Sequence, residues 1–460
     1  MVKRFEPCLS ILVLSEDSAP DAHATLEALA KRMLVAHSLV LMCEGLPPLA
    51  VLALLPKCPM CLAAYVALTV VFWVLLRLLR LNMTSGESKF IRPQPEDGSR
   101  ERYRFDWNSP ILISPHNNRR IYLGGNRLFI SNDRGDNWIT VTADLTKAID
   151  RDRLPIMGAE VKANVLSGHD GQEGYGHIVT VAESPAKEGV LWVGTDDGNV
   201  QVSRNGGKDW KNVTGKIPGV PANTYVTRVI ASHAAAGRAY VTFDGHRNDD
   251  FKPYVFTTED FGETWQAITT GLPHPANVIR EHHRNPNLLL AGTEFGLWVS
   301  FNRGAVWRQL KNNLPTVPVD DIQIHPRDND LILATHGRSI WVLDDMTPLE
   351  QMTDAIAAAE AHLFDTRPAT MWRTYNHKGS TGHKTFIANN PPVGAVISYH
   401  LRERAKDKVR LTVHDRGGAL VRDPGRFLAV DPLHLHRHAG GSRERLERPA
   451  AVVGPHAALA

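Results

Sequence analysis

Apolar and polar positions alternate along this chain in short runs, and the runs come in sets. Leu128-Phe-Ile-Ser131, Val200-Gln-Val-Ser203, Tyr254-Val-Phe-Thr-Thr258 and Leu297-Trp-Val-Ser300 each end at a Ser or Thr. A period of two predicts β-strands. Each run opens into the same eight-residue phrase: Ser131-Asn-Asp133-Arg-Gly135-Asp-Asn-Trp138, Ser203-Arg-Asn205-Gly-Gly207-Lys-Asp-Trp210, Thr258-Glu-Asp260-Phe-Gly262-Glu-Thr-Trp265 and Ser300-Phe-Asn302-Arg-Gly304-Ala-Val-Trp307. The shared pattern is Ser/Thr-x-Asp/Asn-x-Gly-x-x-Trp. Four copies, 72, 55 and 42 residues apart, point to a repeat architecture.

The phrase reads as a hairpin turn between two strands. Its Asp or Asn can accept from backbone N–H groups, its Gly can take φ > 0, and its Trp can anchor the hairpin against the next layer. Two more strands precede each copy. Ile111-Leu-Ile113 leads to Ile121-Tyr-Leu-Gly124, and His177-Ile-Val-Thr-Val-Ala182 to Val190-Leu-Trp-Val-Gly-Thr195. Val226-Thr-Arg-Val-Ile230 leads to Ala239-Tyr-Val-Thr-Phe243, and Asn277-Val-Ile-Arg280 to Leu288-Leu-Leu-Ala-Gly-Thr293. A fifth unit lacks the phrase but keeps the strands Asp321–Ile324, Leu331–Thr335 and Ser339–Leu343. Four short antiparallel strands per unit predict an all-β fold, a β-propeller of about five to six blades, with the segment 106–346 as its extent.

The phrase resembles the Asp-box, or bacterial neuraminidase repeat. Together with Leu191-Trp-Val-Gly-Thr-Asp-Asp-Gly-Asn-Val-Gln-Val-Ser203, it is similar to the sortilin-type propellers of large bacterial proteins often labelled glycosyl hydrolases. The resemblance runs from about Tyr103 to Arg422 and is partial. It implies a propeller, but leaves function open among sialidases, xyloglucanases, sortilin-type receptors and propellers without known activity.

Strand parity separates the two rims. With strands A to D in each blade, the repeat phrase joins C to D and shares a rim with the A–B turns. The opposite rim collects the B–C turns and the D–A crossovers. There lie Asp196 and Asp197; Asp244, His246, Asp249 and Asp250; Glu294; His336 and Arg338; and, in crossovers, His169, Asp170 and Tyr175, with Asp320 and Asp321 elsewhere. Long loops on a rigid scaffold are where function gathers, although each residue singly is also an ordinary surface residue. Asp197-Gly198, for instance, suits a two-residue hairpin turn. His169, Asp170, Tyr175, Asp196, Asp244, His246, Glu294, His336 and Arg338 form the candidate binding rim, and the phrase residues are expected to be structural.

Outside the repeat the texture changes. Residues 1–57 read as a βα segment, with a strand at Leu9–Leu14 and an amphipathic helix over Asp21–Val35. Cys58 to Leu76 is 19 residues without charge, flanked by Lys57, Arg77 and Arg80, and predicts a single membrane span over 58–83 that contacts lipid through residues 58–80. The flanking charges put the propeller in the cytoplasm, whereas the resemblance favours the cell envelope. Cys58-Pro-Met-Cys61 reads as small apolar residues at a helix start; no second pair accompanies it to make a metal or redox site. Residues 84–105 read as a linker and 347–362 as a helix with Thr347 as N-cap and Pro348 in its first turn. Residues 363–424 read as the start of a β-sandwich, with strands at Ala395–Leu401, Lys408–His414 and Ala419–Arg422, and 425–460 as a disordered tail.

The formal net charge of the 460-residue chain is only +3, so no basic field points to nucleic acid. No cofactor or metal is expected; His434-Leu-His-Arg-His438 has no scaffold to fix ligand geometry. Three functional readings remain. The first is a non-catalytic module binding a polysaccharide or protein ligand. The second is a glycoside hydrolase using paired rim carboxylates, whose separation sets its stereochemistry. The third is a truncated or mis-joined product whose missing blades come from another chain.

Overall fold

The computed structural model describes residues 11–14, 78–95, 102–106, 108–140, 143–150, 154, 174–311, 313–368, 396–403, 409–415, 417–422, 426–427, 436–438 and 457–459. The chain divides into two compact units, Met1–Asp144 with Asp150–His177, and Leu145–Ile149 with Ile178–Ala460.

The first unit contains one blade. Ile111–Ile113, Ile121–Gly124, Leu128–Ser131 and Ile139–Thr140 pair antiparallel in chain order. A three-stranded sheet precedes it. Leu79–Asn82 pairs antiparallel with Ser88–Phe90 and parallel with Ile11–Leu14. Two expectations are corrected here: the end of the span read as a membrane helix is a strand at Leu79–Asn82, and the segment read as a linker contains a strand at Ser88–Phe90. No described helix is long and apolar enough to cross a membrane. Residues 58–77, with Cys58 and Cys61, lie outside the described residues.

The second unit contains four more blades. Ile178–Glu183, Leu191–Thr195, Val200–Ser203 and Lys211–Asn212 form the second. Tyr225–Ala231, Ala239–Gly245, Asp250–Thr258 and Gln266–Ala267 form the third. Ala276–Glu281, Leu289–Thr293, Gly296–Ser300 and Arg308–Gln309 form the fourth. The fifth has Val319–Ile324, Leu331–Thr335 and Ile340–Leu343, and its outer strand is His436–His438, paired antiparallel with Ile340–Leu343. His436–His438 lies within the segment 425–460 expected as a disordered tail, most of which lies outside the described residues. The all-β fold of propeller blades expected from the repeats is the observed class, with five four-stranded blades among the described residues, one in the first unit and four in the second.

The repeat phrase folds as expected, with one addition. The Ser or Thr hydroxyl holds the turn from both sides. It accepts from the glycine N–H, as in Gly135 N to Ser131 Oγ at 2.7 Å and Gly304 N to Ser300 Oγ at 2.9 Å. It also donates to the Asp or Asn, as in Thr258 Oγ1 to Asp260 Oδ1 at 2.8 Å. That carboxylate or amide oxygen accepts the backbone N–H four residues further along the chain, as in Asn137 N to Asp133 Oδ1 at 2.8 Å and Asp209 N to Asn205 Oδ1 at 3.0 Å. The glycine takes φ near +90° at Gly135 and Gly207, and the preceding residue is left-handed too, Arg134 at 63° and Phe261 at 61°.

Strand parity holds in hydrogen bonds. The residue before each phrase glycine donates to a carbonyl of its own A–B turn: Arg134 to Arg119, Gly206 to Gly189, Phe261 to Gly237 and Arg303 to Asn287, each at 2.9 Å. The two turns therefore share a rim.

Within the second unit the apolar core lies in the seams between blades. Trp192, Val202, Val213, Val229 and Phe256 fill one seam; Ile230, Tyr240, Ile268, Ile279 and Trp307 fill the next; Leu290, Val299, Ile322, Leu333 and Met346 fill the third. The strands Leu191–Thr195, Ala239–Gly245 and Leu289–Thr293 are buried at every position, so both of their faces are covered, whereas the fifth blade leaves Asp320 and Ile340 exposed.

Following the fifth blade, the single helix expected over 347–362 is two short ones, Thr347–Gln351 and Asp354–Ala358. Met346 stands at the first N-cap instead of Thr347, and Thr353 caps the second by accepting from Ile356 N at 3.2 Å. A cap residue between two helical turns competes with helix continuation. Beyond them Ala361–Leu363 pairs with Tyr399–Leu401, and Val409–His414 pairs with Leu420–Arg422.

Candidate functional site

Every innermost strand of the second unit carries a β-bulge near its start. The register shifts between Ile178 and Thr180, Val226 and Arg228, Ala276 and Val278, and Val319 and Asp321. A bulge adds one residue, bends the strand and re-aims side chains. The shift falls at the end away from the repeat turns, where the B–C turns and crossovers meet. In the fourth and fifth blades the bulge residues are Asn277 and Asp320.

These two residues assemble a polar cluster. Asn277 Nδ2 donates to Glu294 Oε1 at 3.1 Å and to Asp320 Oδ1 at 3.5 Å. Asp320 Oδ2 lies 3.5 Å from His336 Nδ1. Its side chain is half open to solvent on one side. The protein crowded against the other side pushes its carboxyl up by desolvation; the charges of Glu294 and Asp321 add to this, and His336 opposes it. Beside the cluster Phe295 is 47% exposed, and His274 from the preceding crossover packs against its ring with centroids 4.3 Å apart.

Deeper along the same inner strands, Arg228 and Arg280 converge on one oxygen. Arg228 Nη2 donates to Asp321 Oδ1 at 3.1 Å and Arg280 Nη2 to the same atom at 3.2 Å. Arg280 Nε donates to the Ile322 carbonyl at 2.6 Å. Asp321 also accepts from Ile322 N and from the Gln323 amide. Burial, followed by the like charge of Arg228, holds the Arg280 guanidinium down at about 10.

The other expected rim residues form separate groups. Asp244 accepts the His246 backbone N–H at 2.9 Å and pairs with His246 Nδ1. The adjacent Arg247 stacks over the ring of Tyr225, 4.3 Å from its centroid. Asp250 accepts from the Tyr254 hydroxyl at 2.6 Å, and Asp249 takes a left-handed φ of 60°. Asp196 and Asp197 are buried rather than presented at the rim. Asp197 accepts the Lys147 N–H at 2.7 Å and the Thr195 hydroxyl, which makes it a turn brace; burial pushes its carboxyl up. Arg338 is exposed, and its carbonyl accepts from Trp341 Nε1 at 3.1 Å. Tyr175 is half-buried in the first unit, and His169 and Asp170 lie outside the described residues.

Of the residues expected from sequence, the structure brings Glu294 and His336 together, through Asn277 and Asp320. Sequence reading placed Asp320 in a crossover but passed over Asn277, Phe295, Arg228 and Arg280. The available signal was positional: each sits on an inner strand or B–C turn of a recognised repeat unit.

The cluster offers hydrogen-bond acceptors beside an open aromatic face. Glu294 and Asp320 can take hydroxyl donors, the Asn277 amide bridges them, and Phe295 can lie against an apolar ligand face.

No protein-family model matches the chain. Among curated proteins, an oligoxyloglucan-reducing end-specific xyloglucanase of Emericella nidulans is 26% identical over 167 residues, covering 34% of this chain. The chain spans 17% of that relative's length. Among solved structures, an ancestral GH74 enzyme superposes with a TM-score of 0.38 at 15% identity, covering 52% of this chain and 30% of the other. The GH74 enzyme of Niastella koreensis gives 0.30 at 13% identity, covering 58% and 49%. YCF48 bound to D1 peptide gives 0.26 at 13% identity, covering 56% and 82%.

Proposed function

We propose that this propeller is a glycan-binding module whose ligand lies on the rim opposite the repeat turns. The observation that carries the reading is the exposed Phe295 ring, backed by His274 and set beside Glu294, Asn277 and Asp320. A sugar ring has an apolar C–H face and a periphery of hydroxyls. An aromatic platform flanked by carboxylates and an amide answers both. The partial similarity to a xyloglucanase supports a polysaccharide ligand over a polypeptide. Affinity electrophoresis in gels containing xyloglucan and a panel of other polysaccharides tests it. The chain should be retarded in at least one gel, and Phe295→Ala should migrate freely while melting normally. Unchanged retardation of Phe295→Ala overturns the assignment.

Glycoside hydrolysis is the second reading. The raised Asp320 carboxyl beside Glu294 favours it, because hydrolysis needs one protonated and one ionised carboxyl. Against it, the Asn277 amide donates to both carboxylates and so ties up the two groups that would have to act on the bond. Release of reducing ends from xyloglucan that disappears in Asp320→Asn and Glu294→Gln would establish hydrolysis. Binding without release leaves the module reading standing.

Membrane attachment through residues 58–80 is proposed on the uncharged run from Cys58 to Leu76. Full-length chain recovered in the soluble fraction after a carbonate wash rejects it.

A further inference from the structure

We infer that the rim site selects an acidic glycan, with the Arg228–Arg280 pair receiving the carboxylate of a uronate residue. This rests on the glycan-binding reading above and specifies its ligand. Two guanidiniums from adjacent inner strands share one carboxylate oxygen of Asp321. Asp321 also accepts from Ile322 N and Gln323, so the one anion that faces the two guanidiniums is divided among four donors, those two included. The pair keeps an excess of one positive charge. Arg228 Nε is shut off from solvent and has no hydrogen-bond partner among the described residues, so its charge is incompletely met. The Arg228 and Arg280 side chains as a whole retain 24% and 21% exposure. A planar guanidinium takes a carboxylate with directional, charge-assisted hydrogen bonds, and two side by side define an anion subsite.

Asp320, the neighbour of Asp321, belongs to the Asn277–Glu294 cluster. The cluster and the arginine pair are thus anchored on consecutive residues of one strand, Asp320 and Asp321. Glu294 and Asp320 are acceptors and suit sugar hydroxyls. They repel a carboxylate, so the charged substituent is directed to the arginine side. This division gives a uronate a fixed orientation, hydroxyls toward the fourth-blade turn and carboxylate toward Arg228 and Arg280.

The test compares oligogalacturonate with its fully methyl-esterified form, in which each carboxylate is an uncharged methyl ester, by calorimetry on the full chain. The acid should bind about tenfold or more tightly at low ionic strength, the increment of a charge-assisted contact. Added salt should narrow the gap. Arg228→Gln should abolish the preference for the acid over the ester. Asp321→Asn removes the competing internal anion and should widen the preference, a change of sign that a purely structural role for the triad does not produce. Melting curves confirm that each variant is folded. Ester and acid binding alike, or a preference that survives Arg228→Gln, overturns the charge assignment and leaves glycan binding in place. Failure to bind either saccharide, or any polysaccharide in the gel panel, overturns both.

Discussion

The indole Nε1 of Trp307 donates to the carbonyl oxygen of Ile268, 2.7 Å away in the preceding blade. The last residue of a repeat turn is therefore a tie between blades. Trp138 makes the matching bond to Ile91 at 2.5 Å. A Cβ on Gly135 would meet Ile91 Cδ1 at 2.6 Å, just as one on Gly304 would meet Ile268 Cδ1 at 2.8 Å. Ile91 follows Ser88–Phe90 as Ile268 follows Gln266–Ala267, so the hairpin from Leu79 to Phe90 stands toward the first blade as one blade's outer strands stand toward the next. Bidentate Arg80 to Asp136, both contacts at 3.0 Å, adds a second tie.

The four tryptophans are not equivalent, and substitution should show it. Trp307 is 3% exposed with its N–H satisfied, whereas Trp265 is half-buried and its Nε1 has no partner among the described residues. Trp307→Ala should destabilise by about 3–5 kcal/mol. Trp307→Phe should cost about 1–3 kcal/mol by leaving the Ile268 carbonyl unpaired. Trp265→Phe should cost less than Trp307→Phe, since no hydrogen bond is lost. Urea midpoints with equal m-values test the order, and a larger loss for Trp265→Phe contradicts it.

Gly304 and Gly206 separate sterics from backbone preference. Both have positive φ, 83° and 74°, but a Cβ at Gly206 meets nothing within 4 Å. Gly206→Ala should therefore cost only the left-handed penalty of about 1–2 kcal/mol. Gly304→Ala should cost more, because the new methyl presses into Ile268. The double variant Gly304→Ala with Ile268→Ala should recover part of the excess. Equal effects at the two glycines would refute the contact argument.

Acid sensitivity should come from the A–B turns. His282 and His283 stack with centroids 4.7 Å apart, and His233 lies 6.5 Å from His283. Burial lowers all three; Arg280 adds to this at His233, while Glu281 opposes it. At His282, the Asn329 hydrogen bond and Glu350 oppose the shift, and at His283 the His282 charge and Arg284 deepen it. With folded values below unfolded ones, the unfolded chain binds more protons within that window. Stability then rises with pH and is lost as pH falls below about 6.5. His283→Asn should flatten this slope in pH-dependent denaturation. Asp133, held down at about 2 mainly by the Asn137 N–H, contributes only in far stronger acid. A stability profile flat from pH 7 to 5 would rule the histidines out.

Glu281 is a buried carboxylate that joins two blades. It accepts from Ser232 Oγ at 2.7 Å, His233 N at 2.8 Å and Tyr240 Oη at 2.9 Å. Burial and the Glu281 charge push the Tyr240 hydroxyl well up, so it remains a donor at all ordinary pH. Tyr240→Phe should cost about 1–3 kcal/mol, by removing a donor from a buried charge. Glu281→Ala should cost more, because several donors lose their acceptor together. Glycan binding by the folded fraction should not change, since this network lies on the rim of the repeat turns.

Sequence alone determined the repeat turns, their strands and the division of the rims. These are local: a Ser or Thr hydroxyl reaches Gly304 or Gly135 across four residues, and period-two runs fix which strands form hairpins. It also marked Glu294, Asp320 and His336 as rim residues, because parity follows from counting strands. It missed the break after Gln351, where Thr353 caps a second helix in a run that composition presents as one. Only the tertiary structure decided which side chains meet. Asn277 reaches Asp320 across 43 residues and Arg228 reaches Asp321 across 93. Those contacts depend on bulges that re-aim the inner strands and on the packing of one blade against another. Neither leaves a pattern in the order of residues, because a bulge is one extra residue whose side chain turns only when the neighbouring strand holds its register.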